Sequence, residues 1–242
     1  MLGTKQSMSL MVDMAQQQHR LTPSLLFEST PVQSHCGTPD PLQATPIPNE
    51  DKSLGTVFVT GANGYLGSWI VYYLLQNKFN VKASVRNLRD KESYQHLLDF
   101  DSVKKHPGRL QIVEGKLEDR ELWVEHLQGC YAVIHSASPN PYLPVKRDLE
   151  IIYPAVEGTL AILHAAQANC IQYFVLTGSL SNVRGTQYRK FYNEDVWADI
   201  DGLSAYEQSK LLSERCAEFF NKENGSFTQL TTLLPGTMFG PT

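Results

Sequence analysis

Apolar positions change their period along this 242-residue chain. From about Thr56 onward, short apolar runs alternate with stretches where apolar residues recur every three or four positions. The first run, Val57-Phe58-Val59-Thr60, leads straight into a glycine-punctuated turn, after which Leu66, Ile70, Tyr73, Leu74 and Asn77 mark one face of a predicted helix. Asn80–Val85 reads as a second strand, Leu110–Glu114 as a third and Ala132–Ser136 as a fourth. Tyr173–Thr177 and Thr228–Leu234 supply the fifth and sixth. Helical patterns stand between most of them, including Glu121–Leu127, Leu149–Ala168 and Ala205–Asn221. Such alternation predicts an α/β fold, a doubly wound parallel sheet with right-handed crossovers and helices on both faces. Ligands then bind at the carboxyl ends of the strands, where Gly61, Ser136 and Ser179 all fall. No internal repeat is evident.

The glycine turn narrows the chemistry. In Thr60-Gly61-Ala62-Asn63-Gly64-Tyr65-Leu66-Gly67 each glycine has a distinct task. Gly61 permits a tight turn out of the strand, Gly64 lets the backbone approach a pyrophosphate, and Gly67 lets the helix pack closely on the sheet. The free N–H groups at the helix start and the positive end of its dipole face the phosphates. Strand, glycines and amphipathic helix in this order favour a dinucleotide site over a plain tight turn. The second strand closes on Arg86. An acidic residue there would hydrogen-bond a free ribose 2′-hydroxyl, whereas arginine accommodates a 2′-phosphate. Arg86 therefore selects NADP(H) over NAD, with Arg89 and Lys91 adding positive potential.

A second constellation carries reactive groups. Tyr206 and Lys210 stand four residues apart and so share one face near the start of a helix. A phenol ordinarily titrates near pH 10, and a neighbouring ammonium is expected to lower that value. On its own such a pair is more often a core contact beside a snorkelling charge; the dinucleotide motif upstream gives it a functional reading.

Together these motifs resemble the extended short-chain dehydrogenase/reductase superfamily, the NAD-dependent epimerase/dehydratase family. Gly67-Ser68-Trp69, Val85-Arg86-Asn87, Val133-Ile134-His135-Ser136-Ala137-Ser138-Pro139, Pro154-Ala155-Val156-Glu157-Gly158-Thr159, Asn193-Glu194-Asp195-Val196-Trp197 and Pro235-Gly236-Thr237-Met238-Phe239-Gly240-Pro241 narrow the resemblance to its dihydroflavonol reductase and cinnamoyl-CoA reductase-like branch. The resemblance implies a Rossmann-type fold and an NADP-dependent reductase acting on an aldehyde or ketone of a small or medium organic substrate. It implies Ser179, Tyr206 and Lys210 as catalytic residues. Ser179 hydrogen-bonds the carbonyl, with Ser181 as the alternative if the turn is shifted. Tyr206 protonates the carbonyl oxygen, and Lys210 lowers the tyrosine pKa and binds the nicotinamide ribose. Gly61, Asn63, Gly64, Tyr65, Leu66, Gly67, Arg86, Leu117, Ser136, Tyr206, Lys210 and Pro235 are implied as cofactor-binding residues. The same tyrosine and lysine serve sugar-nucleotide epimerases and dehydratases, and a non-catalytic NADP-binding protein is a further alternative.

Departures from the family pattern qualify the expectation. Lys116-Leu117 stands where an Asp-Leu pair usually holds the adenine amino group. Gly178 replaces a frequent serine or threonine, and Arg184 replaces an asparagine common in flavonoid reductases. Members of the branch continue well past the Gly240-Pro241 motif, so most of the substrate-binding region is expected to be missing, leaving exposed apolar surface near Thr242.

Composition adds boundaries. A net charge of −4 and a pI near 6.0 give no footprint for nucleic acid. No apolar run is read as a membrane span. Cys36, Cys130, Cys170 and Cys216 show neither metal spacing nor a disulfide pattern and are expected as reduced thiols. His135 has no paired ligand at metal spacing, so no metal site is expected. Residues 1–52 hold six of the thirteen prolines and three consecutive glutamines. They are expected to form a disordered extension, with a short helical stretch around Met8 to His19, ahead of a dinucleotide-binding domain at 53–242. The extension lacks the pattern of a secretory signal, so a cytoplasmic protein is expected. The expected partner is the small-molecule carbonyl substrate, and a homo-oligomer is left open.

Overall fold

The computed structural model describes residues 53–139, 146–186 and 191–240. The expected extension at 1–52 lies outside the described residues. Six strands form one all-parallel sheet: β1 (Thr56–Thr60), β2 (Asn80–Val85), β3 (Leu110–Glu114), β4 (Ala132–His135), β5 (Tyr173–Thr177) and β6 (Gln229–Leu233). Their order is β3-β2-β1-β4-β5-β6. This is the doubly wound arrangement expected, with its reversal of strand order between β1 and β4, where ligands bind. The register sets Thr60 beside His135 across that boundary.

The helices are α1 (Tyr65–Gln76), α2 (Gln95–Leu98), α3 (Asp101–Lys105), α4 (Arg120–His126), α5 (Leu149–Ala168), α6 (Ser181–Arg184) and α7 (Ala205–Glu223). The core is deepest at β1, where Val57, Phe58, Val59 and Thr60 are at most 2% exposed. Val57 and Val59 pack with Val71, Leu75 and Leu97, whereas Phe58 meets Trp123 of α4 edge-to-face. Both faces of this strand are covered, which is why it reads as a continuous apolar run.

Helix α1 sits differently from its sequence pattern. The buried line is Gly67, Val71 and Leu75, while Ile70 and Leu74 are half-buried and Tyr73 is exposed. Gly67 sets this rotation. A Cβ there would overlap the Gly61 carbonyl oxygen, so the closest line of approach to the sheet runs through the residue without a side chain.

Helix α7 begins with a complete capping box. Ser204 Oγ accepts from the Glu207 N–H, and the Ser204 N–H donates to the Glu207 carboxylate at 2.9 Å. That fixes the first turn, where Tyr206 stands. Helix α5 corrects the expectation that no segment is long and apolar enough to cross a membrane: by length and composition it is. Nevertheless 67% of its most apolar stretch is buried inside the protein, and it packs against α4, α7 and β4, as a core helix does. A second correction concerns the thiols. Cys170 is disulfide-bonded, whereas Cys130 and Cys216 are free; spacing alone cannot reveal such pairing.

Candidate active site

A cleft of about 400 Å³ opens at the carboxyl ends of β1, β2 and β4, within the usual range of ligand pockets. Gly61 makes the turn out of β1 at φ +63, and a Cβ on it would come within 3.0 Å of Ala137 Cα. Any other residue there would be strained and would push the β4 loop away. The first N–H groups of α1 have no acceptor within the helix, and no side chain caps them. They are therefore available to an anion, as a pyrophosphate requires.

Gly61, Asn63, Gly64, Arg86, Leu117 and Ser136 all line this cleft, as their motifs imply. Gly67 lies behind it as the helix–sheet contact. Tyr65 and Leu66 are absent from its wall: Tyr65 is exposed at the helix start and Leu66 is half-buried. The cleft also contains Ser84, Asn87, Ala137 and Ser138, which belong to the second strand or to the family-like motifs but are not among the implied cofactor-binding residues, and Asp90 and Ser93, which no motif marks. Asp90 and Ser93 come from an irregular turn after β2, where no periodicity marks them. That turn is held by the Leu88 N–H donating to the Glu114 carboxylate at 2.7 Å and by Asn63 Nδ2 donating to Ser93 O at 3.4 Å. Lys116, standing where an aspartate is usual, is outside the wall, and its N–H donates to Asp119 Oδ2.

Ser179, Tyr206, Lys210 and Pro235 belong to the adjoining end of the sheet. Ser179 follows β5, on a turn whose Leu180 N–H donates to Pro235 O, tying it to the segment after β6. Ser179 Oγ accepts both the Ser181 N–H (3.2 Å) and the Ser181 hydroxyl (2.8 Å). With both lone pairs used, the Ser179 proton remains to be donated. Ser181 thus supports Ser179 rather than replacing it.

Lys210 is buried and donates from Nζ to Thr177 O at 2.9 Å. Burial pulls its pKa down to about 8. Its Nζ lies 5.9 Å from the Tyr206 ring centroid. The expected lowering of the Tyr206 pKa does not occur in this geometry: burial raises it. The ammonium is directed at a backbone carbonyl, and desolvation of the phenolate dominates. Beneath Lys210, Asn182 on α6 donates to the Glu214 carboxylate and to Lys210 O, locking α6 to α7. Burial raises the Glu214 pKa, with the Asn182 and Thr232 hydrogen bonds acting in the opposite direction. Among the described residues no cluster of three metal-ligating side chains occurs.

A doubly wound sheet, a glycine turn at its reversal point and a Ser/Tyr/Lys set beside it define a dinucleotide-binding domain of the short-chain dehydrogenase/reductase type. The chain belongs to the NAD dependent epimerase/dehydratase family, whose model matches residues 57–242. It is 33% identical over 195 residues to a bifunctional dihydroflavonol 4-reductase/flavanone 4-reductase of Malus domestica, covering 77% of this chain and 55% of that protein. It is 33% identical over 199 residues to tetraketide alpha-pyrone reductase 1 of Arabidopsis thaliana, covering 79% and 60%. Among solved structures, yeast methylglyoxal/isovaleraldehyde reductase Gre2 complexed with NADPH is similar at TM-score 0.66 and 27% identity, covering 77% of this chain and 59% of that one. Vestitone reductase from alfalfa is similar at 0.61 and 29%, covering 74% and 56%. The chain spans about half the length of the curated relatives it matches.

Proposed function

We propose that this chain is an NADP(H)-dependent oxidoreductase that reduces an aldehyde or ketone of a small or medium organic substrate. The observation that carries the reading is Arg86: an arginine, not a carboxylate, closes β2 and lines the cleft, as a 2′-phosphate requires. Relatives named as dihydroflavonol 4-reductases and a Gre2 structure complexed with NADPH support it. NADP(H), when bound, supplies the hydride.

The protein's own groups handle position and proton. Gly61, Asn63, Gly64 and the start of α1 hold the phosphates, Arg86 the 2′-phosphate, and Leu117 and Ser136 the walls of the cleft. Ser179 donates its free proton to the substrate carbonyl. Tyr206, whose raised pKa keeps it protonated at neutral pH, gives its phenolic proton to the same oxygen. Lys210, held by Thr177 O with its Nζ 5.9 Å from the Tyr206 ring centroid, keeps a cation on the same face of α7 as the phenol. A neutral tyrosine beside a buried lysine suits reduction, in which the enzyme begins with a proton to give.

Loss of NADPH absorbance with a panel of aldehydes and ketones tests this reading. Turnover with NADPH that disappears in Tyr206→Phe is expected. Tightly retained NAD after purification, or turnover of a sugar nucleotide with no net cofactor oxidation, would overturn it in favour of epimerase chemistry.

A further inference from the structure

The turn that carries Ser179 is held at both ends by one residue of α7. Lys210 donates from Nζ to Thr177 O at the end of β5, and its backbone O accepts from Asn182 Nδ2 at 3.3 Å. Ser179 stands between Thr177 and Asn182. The Asn182 N–H closes the turn by donating to Ser179 O at 2.9 Å, and the Asn182 O accepts the Ala198 N–H at 2.8 Å. The Asn182 side chain is fully buried, and its amide also donates to the Glu214 carboxylate, which bonds Thr232 of β6 in addition. Lys210 O can only accept, so the amide nitrogen, not the oxygen, must face α7. Asn182 Oδ1 is left without a hydrogen-bond partner among the described residues. Packing alone would be better served at this position by an apolar side chain, because a buried polar atom without a partner is costly.

Gly178 leaves the room for this amide. A Cβ on it would lie 3.1 Å from Asn182 Nδ2, 2.8 Å from Leu234 Cδ2 and 2.9 Å from Thr232 Cγ2. Gly178 is not among the glycines with positive φ, so space rather than conformation asks for a glycine here. A serine or threonine at this position would intrude on the volume that the Asn182 amide and its neighbours fill. Gly178 and Asn182 are therefore a matched pair. We propose that Asn182 is a positioning residue: in the room that Gly178 leaves, it clamps the Ser179 turn to the Lys210 turn of α7 and so sets the spacing between the Ser179 hydroxyl and the Tyr206 phenol. The proposal rests on the reading of Ser179 and Tyr206 as the groups that donate to the substrate carbonyl. Two donors must reach one oxygen, and hydrogen bonds weaken steeply away from their preferred distance and angle. Slack between α6 and α7 would therefore slow the reaction without loosening NADPH in the cleft at β1 and β2.

The test uses the full chain, steady-state reduction of the aldehyde and ketone panel, NADPH titration and amide exchange by NMR. Asn182→Ala is expected to lower kcat by about ten- to a hundredfold, the cost of a small misplacement of reacting groups, with NADPH affinity unchanged. Because the amide acts through Ser179, its loss should cost far less in a Ser179→Ala background. Gly178→Ser should lower kcat in the wild-type chain and raise it in Asn182→Ala, where a hydroxyl can take the vacated place beside Glu214. Asn182→Asp, which keeps the shape and removes the donor hydrogens, should match Asn182→Ala. Leu163→Ala, a core truncation on α5, should lower the melting temperature and leave kcat unchanged. In the wild-type chain the Asn182 side-chain amide protons should exchange slowly with water. Wild-type kcat in Asn182→Asp, equal fold losses with and without Ser179, Gly178→Ser lowering kcat in both backgrounds, or rapid exchange of the Asn182 amide protons would overturn the proposal alone. A wild-type chain that oxidises NADPH with no carbonyl of the panel, while those protons exchange slowly, would overturn the reading of the site and, with it, the role given to Asn182.

Discussion

Strands β1 and β6 belong to one sheet and lie in opposite circumstances. In β1 four consecutive residues are buried, and the turn that follows is shaped by glycines whose replacement would collide with backbone. In β6 the pattern alternates: Gln229, Thr231 and Leu233 are exposed, while Leu230 and Thr232 are half-buried. Leu233 is 55% exposed, and Phe239, shortly after it, 89%. The cleft assigned to the cofactor is therefore built on the best-packed part of the molecule. The Ser179 turn is tied by backbone hydrogen bonds to Leu233 and Pro235, at the strand with one uncovered face. Binding geometry and reaction geometry have separate mechanical supports. Cofactor affinity should follow the β1–β2 half, and turnover should respond to changes around β5, β6 and α7.

The largest effect expected on that division is at Tyr206. Tyr206→Phe should lower turnover by about a hundredfold to ten-thousandfold, the usual contribution of a positioned acid, with NADPH affinity changed far less. Equal loss of both in titration and steady-state kinetics would merge the two halves. Phe58→Ala should come next, costing about 3–5 kcal/mol as a fully buried aromatic truncated in a packed core. Leu233→Ala should stay within about 0.5 kcal/mol, as surface changes do. Urea unfolding of both variants measures the contrast, and similar costs would mean that β6 is better supported than its exposure indicates.

Acid should act on the buried half as well. The His135 pKa is depressed in the fold, from 6.5 to about 3, so its contribution is fully present above pH 6.5. It is lost as pH falls through that window, because the unfolded chain then binds a proton that the fold refuses. The full loss is on the order of 5 kcal/mol. His135→Gln, which keeps an acceptor and takes up no proton, should flatten the stability curve between those limits relative to wild type. Superimposable curves would contradict the buried neutral ring. A further effect is expected at Arg86: Arg86→Asp should reduce NADPH affinity by about tenfold or more while leaving NADH binding intact or improved, since it removes a charge-assisted contact and sets a carboxylate in its place.

The parts that sequence could show are the local ones. β2, β3, β5 and α5 begin and end where their patterns predict, because apolar period and turn residues are written within each segment. The glycine turn and the four-residue step from Tyr206 to Lys210 are local too, and the structure places them at strand ends as required. The failures arise from packing between segments. The buried line of α1 is turned away from its most apolar positions by Gly67. The direction of the Tyr206 pKa is set by burial in the packed fold, and Lys210 meets Thr177 O, a residue 33 positions away. The Asn182–Glu214 contact and the Thr60–His135 contact join distant residues, and no spacing rule reveals them. The apolar content of α5 resembles a membrane span until its neighbours on both sides are placed.

Thermal unfolding of the purified chain with NADPH, with NADH and with neither tests the central claim most directly. A ligand bound only by the native state, at a hundred times its dissociation constant, adds about 2.7 kcal/mol. The account predicts a cooperative transition that NADPH raises clearly more than NADH, because the packed β1–β2 half carries both the fold and Arg86. Equal response to both nucleotides, or no response to either, would contradict it.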